Sequence, residues 1–532
     1  MNEKKYEIEH GRTVLGIELG STRIKSVLTD LETNVLAVGS FEWENQILDG
    51  IWTYSLEDVW KGLQGSYQNL KEQVKGQYGA ELTKIGAIGI SAMQHGYMVF
   101  DRAENQLVPF RTWRNTITKE ASEELMELFH YPIPQRWSIA HLYQAVLNEE
   151  PHVPRIAFMT TLAGYVHWRL TDRKAVGLNE ASGMFPIDLK TRKFNSTMIG
   201  KFQEAIRGKG YPWKLEDILP EIVDVGENAG ELTEKGARLL DPSGTLEAGI
   251  PFCPPEGDGG TGMVATNSIR PCTGNISSGT SVFAMLVLEK ELSRVYPEID
   301  QVVTPDGHLV AMVHCNNLTS DLNSWIGLFR EFAEAAGLQI KREDIFRILY
   351  NKAMEGEPDG GGMLAYNYLS GEHITGLGEG RPMFIRTPES RFDLANFMKT
   401  NLYASLGTIK IGMDILAAEG VKVDVIVGHG GFFKTKGTTQ KIMADALEVP
   451  VKVMATAGEG GAWGIAVLAS YMICREPGET LADYLEQKVF RGAEGTVIQP
   501  DGGESRGFCT FMERFRAGLD IERTAVEKIK TE

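Results

Sequence analysis

Several short runs in the chain carry groups suited to a charged, oxygen-rich ligand. In "GIELGST" (16–22) a carboxylate, Glu18, stands two residues ahead of Gly20, Ser21 and Thr22. In "EGDGG" (256–260) Asp258 sits between glycines, where backbone can come close to a ligand and a carboxylate can face a cleft. Gln94 and His95 follow the apolar run "IGAIGISA" (85–92), a polar pair at a strand end able to hydrogen-bond a polar ligand. Further glycine-rich turns fall at 279–281, 428–431 and 458–464. With 20–22 they could form a distributed cradle for phosphate and nucleoside, because backbone N–H groups in tight turns attract anions. A P-loop is excluded by the lack of G-x-x-x-x-G-K-[ST], and "GEGGAWG" does not satisfy G-x-G-x-x-G.

The elements that must position these groups mix strands with helices throughout, which is an α/β pattern. "TVLGIELGS", "RIKSVLTD" and "VLAVGSFEW" read as three successive antiparallel strands, followed by a helix over "SLEDVWKGLQGSYQNLKEQV". Residues 116–240 read as mostly helical with Pro-containing breaks, and "DPSGTLEAGIPFCPPEGDGGTG" (241–262) concentrates Pro, Gly and Asp as a boundary would. The pattern then starts again with "GNISSGTSVFAMLVLEK", a strand–turn–strand whose Gly-Thr-Ser turn echoes the first hairpin. A long helix ("DLANFMKTNLYASLGTIKIGMDILAAEG"), a strand ("DVIVGHGG"), a helix near "TTQKIMADALE", the strand "VPVKVMA" and a glycine-rich helix entry at 458–464 follow. The resulting expectation is an N-terminal domain over 11–250, a C-terminal domain over 251–500 and a helical tail over 501–532.

Length and composition bound the function. At 532 residues the chain is too long for one ordinary core. No apolar run approaches the roughly 20 residues of a membrane span, and the charged start "MNEKKYEIEHGR" lacks the apolar core of an export signal, so a cytoplasmic protein is expected. The five cysteines are an odd number without zinc-like spacing, which argues against a disulfide framework or a zinc site. A net charge of −17 with no long Lys/Arg block argues against nucleic acid as partner. A small ligand fits better, and a phosphorylated one needs backbone N–H groups, helix ends or a metal ion to offset the acidic field.

Taken in order, these motifs resemble the FGGY carbohydrate kinases of the actin/Hsp70/hexokinase superfamily, over about residues 14 to 470. "GIELGSTRIKSVLTD" resembles the first phosphate hairpin, with Glu18 where the family usually has aspartate; "GISAMQHGYMVFD" (89–101) resembles the sugar loop of xylulokinases, with Gln and Met in a different order. "EGDGGTGMVA" is similar to the catalytic-aspartate segment, "ISSGTS" (276–281) to the second phosphate hairpin, and "YLSGEHI" (368–374) to a Tyr-Leu-Ser-Gly-Glu run. "VGHGGFFKTKGTTQKIMADAL" resembles the adenosine motif, with about three extra residues.

The resemblance implies an α/β fold of two RNase-H-like (actin-like ATPase) domains with an inter-domain catalytic cleft. It implies ATP-dependent phosphorylation of a small sugar, with ATP and Mg²⁺ as cofactors and Asp258 as general base. Gln94, His95, Trp113 and Arg114 would contact the sugar, the last two also having ordinary roles in packing and ion pairing. Gly20, Ser21 and Thr22 with Gly279, Thr280 and Ser281 would hold phosphates, while Gly430, Gly431 and Phe432 would border the adenosine. Glu18 would hold Mg²⁺, through water or directly, since that ion prefers carboxylate oxygens. A ketopentose, D-xylulose or L-ribulose, is the expected substrate and is converted to its 5-phosphate. L-fuculose, L-rhamnulose, glycerol and gluconate are the alternatives, and a homodimer is compatible with the family. A sugar-independent actin- or Hsp70-like ATPase is the competing class, which "MQHG" disfavours.

Overall fold

The computed structural model describes residues 2–435, 437–454 and 460–530. The chain divides into two compact units. The first comprises Met1–Arg270, Asp300–Val310 and Gly458–Gly492, and the second Pro271–Ile299, Ala311–Ala457 and Ala493–Glu532. Among the described residues no helix is long and apolar enough to cross a membrane.

In the first unit β1 (Thr13–Leu19), β2 (Arg23–Asp30) and β3 (Val35–Glu42) form the expected antiparallel meander. Then β4 (Ala87–Ala92) joins parallel to β1, and β5 (Glu256–Gly257) parallel to β4, giving the order β3-β2-β1-β4-β5. The side chains of β4 are all buried, as befits a strand covered on both faces. Between β3 and β4 runs the helix Leu56–Tyr78. It starts where Ser55 Oγ accepts the Asp58 N–H (3.0 Å) and stops at Gly79 in the left-handed region. Val59, Leu63 and Leu70 of that helix pack with Leu15, Ile17 and Leu28 in one apolar core.

The second unit repeats the plan. The hairpin of β6 (Thr273–Ser278) and β7 (Val282–Val287) is antiparallel, β8 (Leu309–Cys315), which belongs to this unit from Ala311 on, neighbours β7, and β9 (Val425–His429) and β10 (Val451–Met454) add parallel on the other side of β6. The order β8-β7-β6-β9-β10 therefore mirrors β3-β2-β1-β4-β5, with β11 (Gly495–Ile498) added antiparallel at the far edge. The echo between the two Gly-Thr/Ser hairpins is thus a repeat of topology.

Two boundaries differ from expectation. Asp258 and the strand before it fall in the first unit, not in a domain beginning at 251, because Glu256 and Gly257 pair with Ser91 and Ala92 of β4. Residues 501–532 are no separate tail. The helix Gly502–Ala517 buries Phe508, Phe511 and Phe515 in the second unit, with Phe508 set edge-on against Tyr403 (4.8 Å). Its Glu504 pairs with the buried Lys399 (2.6 Å).

Candidate active site

At the end of β1 the chain turns through residues 20–22. Gly20 closes this hairpin with its own N–H, which donates to the Arg23 carbonyl (3.0 Å). The Trp43 indole N–H donates to the Gly20 carbonyl (2.7 Å) and the Tyr54 hydroxyl to the Ser21 carbonyl (2.6 Å). Those two rings stack at 4.1 Å, so the turn rests on a fixed aromatic step. Gly20 is thereby used structurally, its N–H and its carbonyl both engaged.

Glu18 lies just ahead of this turn, half-buried, and its Oε2 accepts the Ala462 N–H (3.2 Å) in the first turn of the helix Gly460–Cys474. A side chain at Gly461 is incompatible with that placement, since a Cβ there would lie 2.4 Å from Glu18 Oε1. Burial and then the neighbouring charge of Asp258 raise the Glu18 pKa to about 7, although Lys25 and the Ala462 N–H oppose the shift. Of the glycine-rich entry expected at 458–464, Gly458 and Glu459 lie outside the described residues.

Asp258 opens the helix Asp258–Ala265, and its Oδ1 accepts the backbone N–H of Gln94 (3.1 Å). The proposed base and the polar loop are therefore directly bonded. Burial raises the pKa of Asp258, with the N–H groups of Gln94 and Gly259 pulling it back. The Gln94 side chain donates from Nε2 to the Asn179 carbonyl (2.8 Å). His95 holds a left-handed backbone (φ 74°), unusual for so large a residue, and its Nδ1 lies 3.3 Å from the Gly183 carbonyl. Its ring is parallel to that of Trp137 at 6.4 Å.

Trp113 packs against the core of the first unit, and the exposed Arg114 lies over the Trp52 ring at 4.7 Å. Their segment runs beside the polar loop through paired backbone bonds between Tyr97 and Arg111 (2.9 and 3.2 Å). Asn115 ties it to Trp52 in both directions (2.9 and 2.8 Å).

Two acids near Asp258 escape sequence reasoning. Glu256 is buried, and its carboxylate accepts the Glu180 N–H (2.9 Å) at the start of the helix Leu178–Ser182, with the N–H groups of Asn179 and Leu178 also turned to it. Burial outweighs those bonds and raises its pKa to about 8. Glu180 is also buried, and burial drives its pKa well up against a hydrogen bond from Thr161, with Glu256 and Asp258 adding to the rise. The only sequence signal for Glu256 is an acid within a Pro- and Gly-rich turn, and Glu180 has none.

In the second unit the turn 279–281 is also closed by the N–H of its glycine, over a span one residue shorter. Gly279 donates its N–H to the Ser281 carbonyl (2.9 Å), so that N–H is engaged within the turn. Gly430 follows β9 with φ 100°, and a Cβ there would meet the Ser278 carbonyl at 2.4 Å, so only glycine lets the strands approach this way. Gly431 sits beside it at the start of a short 3-10 turn. Phe432, expected to border the adenosine, is a packing residue in this turn. It is only 2 % exposed and packs edge-on to Phe433 (5.9 Å).

Among the described residues no three His, Cys, Asp or Glu side chains cluster as a metal cage. Mg²⁺ needs less, because one or two carboxylates, phosphate oxygens and water usually complete its shell. Glu18, half-buried at the strand end beside the charge of Asp258, fits that requirement.

Comparison with known proteins agrees with this layout. Residues 13–265 match the N-terminal domain of the FGGY family of carbohydrate kinases, and residues 274–473 match its C-terminal domain. The chain is 20% identical to the xylulose kinase of Haemophilus influenzae over 518 residues, spanning 95% of this chain and 99% of that one. It is 22% identical to the autoinducer-2 kinase of Salmonella typhimurium over 478 residues, spanning 84% and 85%. The structure of xylulose kinase from Rhodospirillum rubrum matches with a TM-score of 0.78 at 19% identity, over 96% of this chain and 99% of that one. That likeness shows the two-domain, actin-like ATPase fold.

Proposed function

Because the chain belongs to the FGGY family of carbohydrate kinases, and so transfers phosphate from ATP to a carbohydrate, we propose that it phosphorylates a ketopentose, D-xylulose or L-ribulose, at the 5-hydroxyl, with Asp258 as general base. The bond between the Gln94 N–H and Asp258 Oδ1 carries this reading, since a polar loop suited to hydroxyls lies directly against a carboxylate. Asp258 accepts the proton of the attacking hydroxyl as the new O–P bond forms and the bond from the γ-phosphorus to the β–γ bridging oxygen breaks, releasing ADP. Its raised pKa brings it nearer the working pH, which favours a proton acceptor that must also give the proton up.

Gln94 and His95 orient the sugar, with Trp113 and Arg114 as the outer wall. Ser21, Thr22, Thr280 and Ser281 supply the phosphate donors, and Gly430 and Gly431 let backbone approach the adenosine. Glu18 would hold Mg²⁺, whose bound form neutralises phosphate oxygen charge. The reaction takes place in the cytoplasm in this reading.

The similarity to a xylulose kinase over nearly the whole chain favours D-xylulose. A coupled ADP-release screen over D-xylulose, L-xylulose, D-ribulose, L-ribulose, L-fuculose, L-rhamnulose, glycerol, gluconate and autoinducer-2 tests it. Selectivity for a ketopentose supports the reading. Preference for another acceptor, or ADP release that ignores sugar, overturns it.

A further inference from the structure

The run Tyr368–Ile374 has no part in the proposed chemistry, yet it contains a buried acid. Glu372 has none of its surface exposed (0 %), and its Oε1 accepts the backbone N–H of Asn316 (2.8 Å), directly after β8. The Asn317 N–H is turned to the same carboxylate. Asn317 replies through Oδ1, which accepts the N–H groups of Leu369 (3.0 Å) and Ser370 (3.1 Å). The two segments are therefore laced together in both directions.

The next two residues reach the phosphate turn. Leu318 donates its N–H to the Thr280 carbonyl (2.9 Å), and the Thr319 hydroxyl donates to the Gly279 carbonyl (2.8 Å). With both carbonyls held from behind, the turn keeps its conformation while Gly279 and Thr280 stay exposed. A carboxylate suits the far end of this chain of bonds, because it accepts from several N–H groups without presenting a donor of its own.

We propose that Glu372 is the positioning residue of the second phosphate turn, fixing 316–319 and through Leu318 and Thr319 the donor set of Thr280 and Ser281. The inference rests on reading that turn as a phosphate site. A preformed donor set binds the polyphosphate without first being ordered, so losing the support costs phosphate affinity specifically.

The test is calorimetric binding of AMP-PNP and of AMP to the full-length protein. Glu372→Ala should weaken AMP-PNP about 10- to 100-fold while leaving AMP nearly unchanged, and Glu372→Gln, which keeps an acceptor for Asn316, should recover most of the loss. Thr319→Val changes only one hydroxyl near the surface and should weaken AMP-PNP several-fold, which decides the matter if Glu372→Ala does not fold. Equal losses for both nucleotides, or no loss in Thr319→Val, overturn the positioning role. A Thr280→Ala/Ser281→Ala double variant separates the premise. If it loses AMP-PNP affinity while the Glu372 and Thr319 variants do not, the inference alone fails; if it binds normally, the phosphate-turn reading fails with it.

Discussion

Adding one methyl group at Gly461 tests whether Glu18 works where the structure places it. A Cβ there would stand 2.4 Å from Glu18 Oε1, 2.8 Å from Thr261 Oγ1 and 2.9 Å from Glu18 Cδ. An ordinary contact needs about 3.4 Å or more, so the carboxylate must retreat by about 1 Å and loosen its 3.2 Å bond to the Ala462 N–H. A displacement of that size in a positioning group costs about 10²-fold in rate. Folding should suffer less, because alanine regains up to about 1 kcal/mol of helix propensity against an overpacking cost of about 1–3 kcal/mol. The assay is kcat/KM against Mg²⁺ concentration for the parent, Gly461→Ala, Glu18→Asp and the double variant. Aspartate draws the oxygens back by one methylene, so the alanine should cost much less in that background, with a coupling of about 1–2 kcal/mol. Strictly additive losses would refute the placement of Glu18 against Gly461, and an unaltered Mg²⁺ dependence would refute its metal role.

Two further outcomes follow from particular side chains. Gln94→Ala keeps the backbone N–H that holds Asp258 and removes only the side chain, so the sugar KM should rise about 10-fold with a smaller fall in kcat; an unchanged KM with a large fall in kcat would contradict a binding role. His141 is buried, neither of its ring nitrogens has a hydrogen-bond partner among the described residues, and burial lowers its pKa to about 3. Its usual value is 6.5, so the unfolded chain takes up a proton there that the folded one resists, and stability is lost as pH falls from 6.5 towards 3. His141→Leu should stabilise the protein at pH 7.5, and its advantage in denaturant melts should grow by about 2 kcal/mol at pH 5. An advantage independent of pH would contradict the buried neutral histidine.

Much of the fold is legible in residue patterns, for reasons visible in particular elements. The β1–β3 meander shows because short β-branched runs alternate with Gly and Asp, and the helix Leu56–Tyr78 shows because Ser55 and Gly79 punctuate it. The unit to which Asp258 belongs is hidden, because it depends on a two-residue strand too short to have a period. The C-terminal helix hides its role for another reason: Phe508, Phe511 and Phe515 mark an apolar face, but sequence does not say which core receives it. Within the site, Glu18, Asp258 and Gln94 stand out through their glycine-rich or strand-end setting. Glu180 and Glu256 do not, since a buried acid is recognised by its surroundings and here these come from segments roughly 76 residues apart. Phe432 is the opposite case, a residue in a recognisable motif whose ring packs against Phe433, which its motif alone does not specify.

The most direct test of the account is a single-turnover measurement of phosphoryl transfer from ATP to the preferred sugar by Asp258→Asn. The amide preserves shape and removes the proton acceptor, so the rate should fall about 10²- to 10⁴-fold with the ATP dissociation constant unchanged. Transfer near the parent rate would contradict Asp258 as the base.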